Sequence, residues 1–200
     1  MLRAVHGSDA VRRLLTALLL LWAVDANAII IIGGTGAPPD PPPGSCSTQS
    51  TDVSLTTNNA TSYFYSATER GQSWKPGVSG DLYSITLYKN ESATATTFTI
   101  RIGTTTTLTS YLVSFTCNIT SGAGAKECVI PEGSRPSLTA GTTYYMGMRT
   151  SNEADSTGVA IARDSSNSYA NGTAYNDTTA DWIVATTVVS DLYFVTKMCD

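Results

Sequence analysis

Residues Arg163 to Asp177 read Arg-Asp-Ser-Ser-Asn-Ser-Tyr-Ala-Asn-Gly-Thr-Ala-Tyr-Asn-Asp, and Trp182 follows at short range. The run mixes aromatic rings with amides, hydroxyls and carboxylates. Exposed aromatic faces stack on sugar rings, while flanking amides and acids hydrogen-bond the hydroxyls. Tyr169, Tyr175 and Trp182, with Asn171 and Asn176, therefore form a candidate ligand-binding platform, with a glycan as the favoured ligand class. The competing structural reading puts Trp182 in a core and uses the two tyrosines to cap sheet edges. Trp74, inside a strand-like stretch, reads as core.

Catalytic chemistry finds little support. His6 is the only histidine, and it falls in a segment that reads as a removable leader. A Ser-His-Asp or Cys-His nucleophile system is thereby excluded from the mature chain, as is a histidine-containing zinc site. A paired-carboxylate glycosidase needs two acids about 5–10 Å apart. Glu69, Glu91, Glu127, Glu132, Glu153, Asp155, Asp164, Asp177 and Asp181 are scattered through apparent turns, with no cluster in the sequence. Asp155, Asp164, Asp177 and Asp181 could serve calcium, but they lack EF-hand spacing. No enzyme activity, metal or cofactor is expected.

Four cysteines, Cys46, Cys117, Cys128 and Cys199, suit an exported protein with two disulfides, and three connectivities are open. Cys117 and Cys128 flank the glycine-rich stretch Ser121–Ala125 and read as the two ends of one hairpin. Cys46 then pairs with Cys199, which requires the two ends of the domain to lie side by side. The absence of a Cys-x-x-Cys motif argues against both redox and zinc roles.

The N-terminal region organises the rest. Arg3, Arg12 and Arg13 precede an apolar run from Leu14 to Val24, and Ala26-Asn27-Ala28 supplies a cleavage pattern. That is a secretory signal, with an apolar run well short of the roughly 20 residues needed to span a bilayer. The mature chain is thus expected to be secreted, at the cell surface or extracellular, with no membrane span. Of the 12 basic and 16 acidic side chains, residues 1–28 remove three Arg and two Asp, which leaves a net charge of about −5. A charge of that sign argues against nucleic-acid partners.

Ile29-Ile30-Ile31-Ile32-Gly33-Gly34-Thr35-Gly36 imitates the opening of a dinucleotide-binding unit, but the prolines from Pro38 to Pro43 preclude the helix that such a site needs. What remains is an isoleucine strand on a stiff Pro/Gly linker with a reach of roughly 40 Å as polyproline II. It reads either as an ordinary edge strand or tail, or as a donor strand that completes a neighbouring subunit's sheet.

After residue 46 short strands follow one another. Phe98, Ile100 and Ile102 alternate with Thr97, Thr99 and Arg101. Tyr144, Met146 and Met148 alternate with Tyr145, Gly147 and Arg149. Leu192, Phe194 and Thr196 oppose Tyr193 and Val195. In Asp81–Lys89, Tyr83, Ile85 and Leu87 are expected on one face. Further strands are expected over Ser62–Ala67, Gln72–Lys75, Thr109–Cys117, Cys128–Ile130, Val159–Arg163, Thr173–Tyr175 and Trp182–Ala185. Two-residue periods with turn signals between them predict an all-β, antiparallel two-sheet sandwich.

Gln72-Ser73-Trp74, Asp81 to Tyr88, Leu138-Thr139-Ala140-Gly141-Thr142-Thr143-Tyr144-Tyr145 and Asp191-Leu192-Tyr193-Phe194 resemble a recurrent bacterial extracellular β-sandwich module. That module is a jelly-roll domain similar to carbohydrate-binding modules. The resemblance spans roughly residues 60 to 197 and implies fold rather than ligand, since its motifs are core and turn signatures. The domain plan is then a signal over 1–28, the isoleucine strand and linker over 29–45, and one disulfide-stapled sandwich over 46–200. The expected function is a secreted, non-enzymatic binding or surface-interaction module for a glycan or cell-surface polymer. The alternative is a self-assembling subunit of a fibre or surface layer that uses Ile29–Ile32. The two separate on the mass of the mature chain in solution.

Overall fold

In a computed structural model, the described residues are 46–64, 68–90, 95–150, 159–177, 181–183 and 186–199. The signal segment, Ile29–Ile32 and the linker lie outside them. All regular structure among the described residues is β. The strands are β1 (Gln49–Leu55), β2 (Ala60–Phe64), β3 (Glu69–Trp74), β4 (Gly80–Lys89) and β5 (Thr96–Gly103). Next come β6 (Val113–Ile119), β7 (Gly124–Val129), β8 (Ser137–Leu138), β9 (Tyr144–Thr150) and β10 (Val159–Asp164). The last four are β11 (Ala174–Asp177), β12 (Thr186–Val188), β13 (Asp191–Leu192) and β14 (Phe194–Cys199).

These strands make two antiparallel sheets packed face to face. One runs β12-β11-β3-β9-β5-β6. The other runs β1-β14-β4-β10-β13, with β2 beside β10 and with β7 and β8 beside β4. Alternation decides which side chains meet between them. Phe98, Ile100 and Ile102 of β5 and Met146 and Met148 of β9 point inward, and Ile85, Leu87, Phe194 and Met198 oppose them from the other sheet. Phe64 meets Phe98 edge-on at 5.0 Å, and Trp74, 1 % exposed, lies between Tyr144 and Phe194. Each such aromatic contact adds about 0.5–1.5 kcal/mol beyond its buried area.

Three local expectations need correction. The first concerns β4, whose pairing with β14 jumps from Ser84↔Lys197 to Leu82↔Met198, so Tyr83 is the extra residue of a β-bulge. A bulge reverses parity beyond it. Leu82 therefore joins the core, while Tyr83 turns outward beneath the Arg135 guanidinium. The second concerns Trp182–Ala185. Trp182 and Ile183 form no strand but a single bridge from Ile183 to Thr107, and the strand comes later, at β12. The third concerns the hairpin. Cys117 and Cys128 do pair, as do Cys46 and Cys199. Yet β6 pairs with β5 and β7 pairs with β4, so Cys117–Cys128 bridges the two sheets. The glycine-rich stretch turns the chain from one layer to the other.

A polar bridge also crosses the sandwich. Gln72 of β3 donates through Nε2 to Asp191 Oδ1 at 3.0 Å and accepts from the Leu192 N–H at 2.9 Å. The Tyr169 N–H donates to Asp191 Oδ2 at 2.8 Å. Burial pushes the Asp191 carboxyl above its ordinary value, opposed by the Tyr169 N–H and the Gln72 amide. Buried polar groups persist where partners satisfy them, as here.

Candidate functional site

The platform residues do not share one surface. Tyr169 packs edge-on against Phe194 of the core at 5.7 Å, and its hydroxyl lies beside the Lys75 backbone. Its phenol is pushed up, mainly by burial. Asn171 sits on an exposed turn. Tyr175 and Asn176 are neighbours in β11 and so point to opposite faces of their sheet. The Tyr175 ring leans on Tyr145 at 5.9 Å on the outer face. Trp182 reaches further across that face, where its ring stacks on the Arg101 guanidinium at 4.0 Å, and Tyr111 sits 4.7 Å from the same group. Trp182 is half-buried rather than core. Its φ of 63° is a left-handed conformation that bulky residues seldom adopt. The Arg101 stack and the 2.7 Å hydrogen bond from the Leu108 N–H to the Trp182 carbonyl hold it there.

The structure does bring Tyr175 and Asn176 together with residues that the sequence did not single out. At one edge of the sandwich, β2 and β10 of one sheet face β3, β11 and β12 of the other across a cavity of about 220 Å³. Tyr63, Arg70, Arg163, Tyr175, Asn176 and Ser190 line it, with Thr61 and Ser62, and among the described residues no acidic side chain contributes. Arg70 Nη2 donates to the Tyr63 carbonyl at 3.2 Å, and Arg163 Nη1 donates to Ser190 Oγ at 3.4 Å. The Arg163 Nε–H and the Asn176 Oδ1 are buried without hydrogen-bond partners among the described residues. Tyr63, 42 % exposed, stands at the rim. Two guanidiniums therefore face a small polar space within a net-negative chain, an arrangement suited to a carboxylate or sulfate.

A neighbouring buried acid fixes the end of β10. Asp164 accepts from the Ser166 N–H at 2.9 Å, the Ser166 hydroxyl, the Ser168 hydroxyl and Asn59 Nδ2. The Ser166 hydroxyl foremost, then Ser168 and the Ser166 N–H, hold this carboxyl well below the ordinary carboxylate range. A depressed folded-state value means stability that is present above the unfolded value near pH 4 and is lost as pH falls through the folded one. Asp164→Asn is expected to remove that part of the acid sensitivity. Urea midpoints measured between about pH 5 and pH 2 should fall less steeply for the variant than for the parent. Equal slopes would remove Asp164 from the account.

The acids are less scattered than they read in sequence. Glu69 lies in β3 rather than in a turn, and the register Asp177↔Glu69↔Arg149 places these three side by side on the outer sheet face. One carboxylate oxygen each from Glu69, Asp177 and Asp181 falls within 4.8 Å of the others. Glu69 is 0 % exposed, and no side chain among the described residues hydrogen-bonds either of its oxygens. Burial foremost raises its pKa to about 7. The Trp182 N–H and Arg149 oppose the rise, whereas Asp177 and Asp181 add to it.

The fold and edge cavity define the chain as a disulfide-stapled, antiparallel β-sandwich with a cationic polar cleft. Comparison with protein-family models and with curated proteins finds no match. Disulfides form and persist in oxidising compartments, and the two present here accord with that setting.

Proposed function

We propose that the mature chain is a secreted, non-catalytic binding module whose edge cavity takes one residue of an acidic glycan. The observation that carries this reading is the pair Arg70 and Arg163 facing a cavity with Tyr63 at its rim and, among the described residues, no acidic side chain in its lining. The guanidiniums recognise the sugar's carboxylate or sulfate, Ser190 and Asn176 offer partners to hydroxyls, and Tyr63 supplies an aromatic face at the rim. The cavity is smaller than the roughly 300 Å³ at which drug-sized sites begin, which suits a single ring of a longer chain.

Isothermal titration with oligogalacturonate, and with a neutral galactan oligomer of equal length, tests the reading. The acidic oligomer should bind and the neutral one should bind at least about tenfold more weakly, since a charged hydrogen bond contributes about 1.5–3 kcal/mol. Arg163→Ala should cost a similar factor while leaving the circular dichroism spectrum unchanged. Equal affinity for both oligomers, or an Arg163→Ala variant that binds as well as the parent, would overturn the proposal.

A further inference from the structure

The acidic trio on the outer sheet face is not part of the lining of the cavity. Adjacent residues in a strand point to opposite faces. Arg70 and Asn176 therefore line the cleft, while their neighbours Glu69 and Asp177 occupy the outer surface of the same two strands. Asp181 joins them from the segment that carries Trp182. We propose that Glu69, Asp177 and Asp181 form a binding site for a hard divalent cation, calcium in the first instance.

Three observations support this assignment. The first is spacing. A calcium ion bonded at about 2.4 Å accommodates ligand oxygens up to about 4.8 Å apart, and the three carboxylates offer oxygens within that limit. The second is the state of Glu69, whose carboxylate is fully buried and takes no hydrogen bond from a side chain among the described residues, though it points at two other acids. Buried carboxylates are ordinarily paired, hydrogen-bonded or bound to metal. The third is charge. Three carboxylates stand beside one guanidinium, Arg149, directly across the register from Glu69. When all are ionised, the local excess is two negative charges, which one divalent cation cancels.

An all-oxygen donor set selects calcium, magnesium or manganese over the softer metals. Three carboxylates leave coordination positions for water or backbone carbonyls, as calcium's six to eight ligands require. The site would tie β3 and β11 to the segment at Asp181. It would thereby steady Trp182 on Arg101, next to the ion. The ion's place is structural in this assignment, and its test needs no glycan, so it stands or falls separately from the cleft.

Trp182 follows Asp181 directly and provides a built-in reporter. The oxidised mature protein titrated with Tb³⁺ should show tryptophan-sensitised lanthanide luminescence that Ca²⁺ displaces. Glu69→Gln and Asp181→Asn should each raise the Ca²⁺ concentration needed for displacement by at least about tenfold. Trp182→Phe should dim the emission without moving a calorimetric Ca²⁺ titration, because Trp74 is buried in the core. Ca²⁺ at a hundredfold excess over its Kd should raise the Tm of the parent by about 5 °C or more. It should leave the Glu69→Gln variant unmoved. The assignment is overturned if the folded parent gives neither sensitised emission nor a calcium shift, or if both responses survive in the Glu69→Gln, Asp181→Asn double variant. The exposed Asp181 gives a variant that folds even if Glu69→Gln disturbs the sheet.

Discussion

Replacing Cys46 and Cys199 by serine is expected to lower the free energy of unfolding by about 5 kcal/mol, whereas the same change at Cys117 and Cys128 should cost about 3 kcal/mol. The difference follows from chain entropy. Cys46–Cys199 closes a loop with a sequence separation of 153, against 11 for Cys117–Cys128. The longer loop removes more freedom from the unfolded chain. The native consequence is local as well. Gln49 pairs with Cys199 at the start of the β1–β14 ladder, so the bridge pins β1, an edge strand among the described residues, to its neighbour β14. Urea unfolding of the two double-serine variants beside the oxidised parent would measure both costs. A larger loss for the short bridge would show that tying the two sheets together matters more than closing the long loop.

Gln72→Leu should be nearly as damaging, at about 4 kcal/mol, although it replaces a polar side chain by an apolar one of similar size in a buried position. The substitution strands the Leu192 N–H and leaves Asp191 Oδ1 without the Gln72 amide. Each buried group left unsatisfied costs about 1–3 kcal/mol, and a charged one more. The Tyr169 N–H would remain as a single donor to that carboxylate. A double variant, Gln72→Leu with Asp191→Leu, should recover part of the loss because the buried charge is gone. Urea midpoints for the single and double variants decide the matter. A single-variant cost below about 1 kcal/mol would mean that water or a shifted backbone replaces the lost amide.

These two effects sit at opposite ends of what the residues disclose. Four cysteines, two near the ends of the domain and two around a glycine-rich stretch, pointed to this pairing among three open connectivities, although the hairpin expected between Cys117 and Cys128 is a crossing between sheets instead. The partner of Gln72 was not legible. Asp191 lies 119 residues away, in the other sheet, and nothing local to either residue specifies the contact.

The candidate site divides in the same way. Tyr175 and Asn176 were legible from composition, because aromatic and amide groups cluster in one stretch. Their companions Tyr63, Arg70 and Arg163 come from three other strands, and only the packing of two sheet edges assembles them. Tyr169, chosen by the same compositional signal, instead seals the core against Phe194. The Glu69–Asp177–Asp181 cluster escaped a reading by spacing altogether. Glu69 and Asp177 are neighbours through strand register, and registers between distant strands leave no mark in linear spacing.

The sequence alone determined the class of fold, because side chains two apart in a strand share a face whatever the strand's neighbours are. The inward rows of β5, β9 and β14 follow from that rule. It failed where the rule has too little to act on or is broken locally. β1 offers only Val53 and Leu55 as apolar residues, and so gave no strand signal. Tyr83 lost its place to Leu82 through one inserted residue opposite β14. The tertiary structure decided which strands are neighbours, which layer each joins and what the outward and edge-facing groups meet. Those outcomes depend on contacts between distant segments, whose free energies are set by packing and desolvation in three dimensions, and that is where both the cationic cleft and the acidic trio arise.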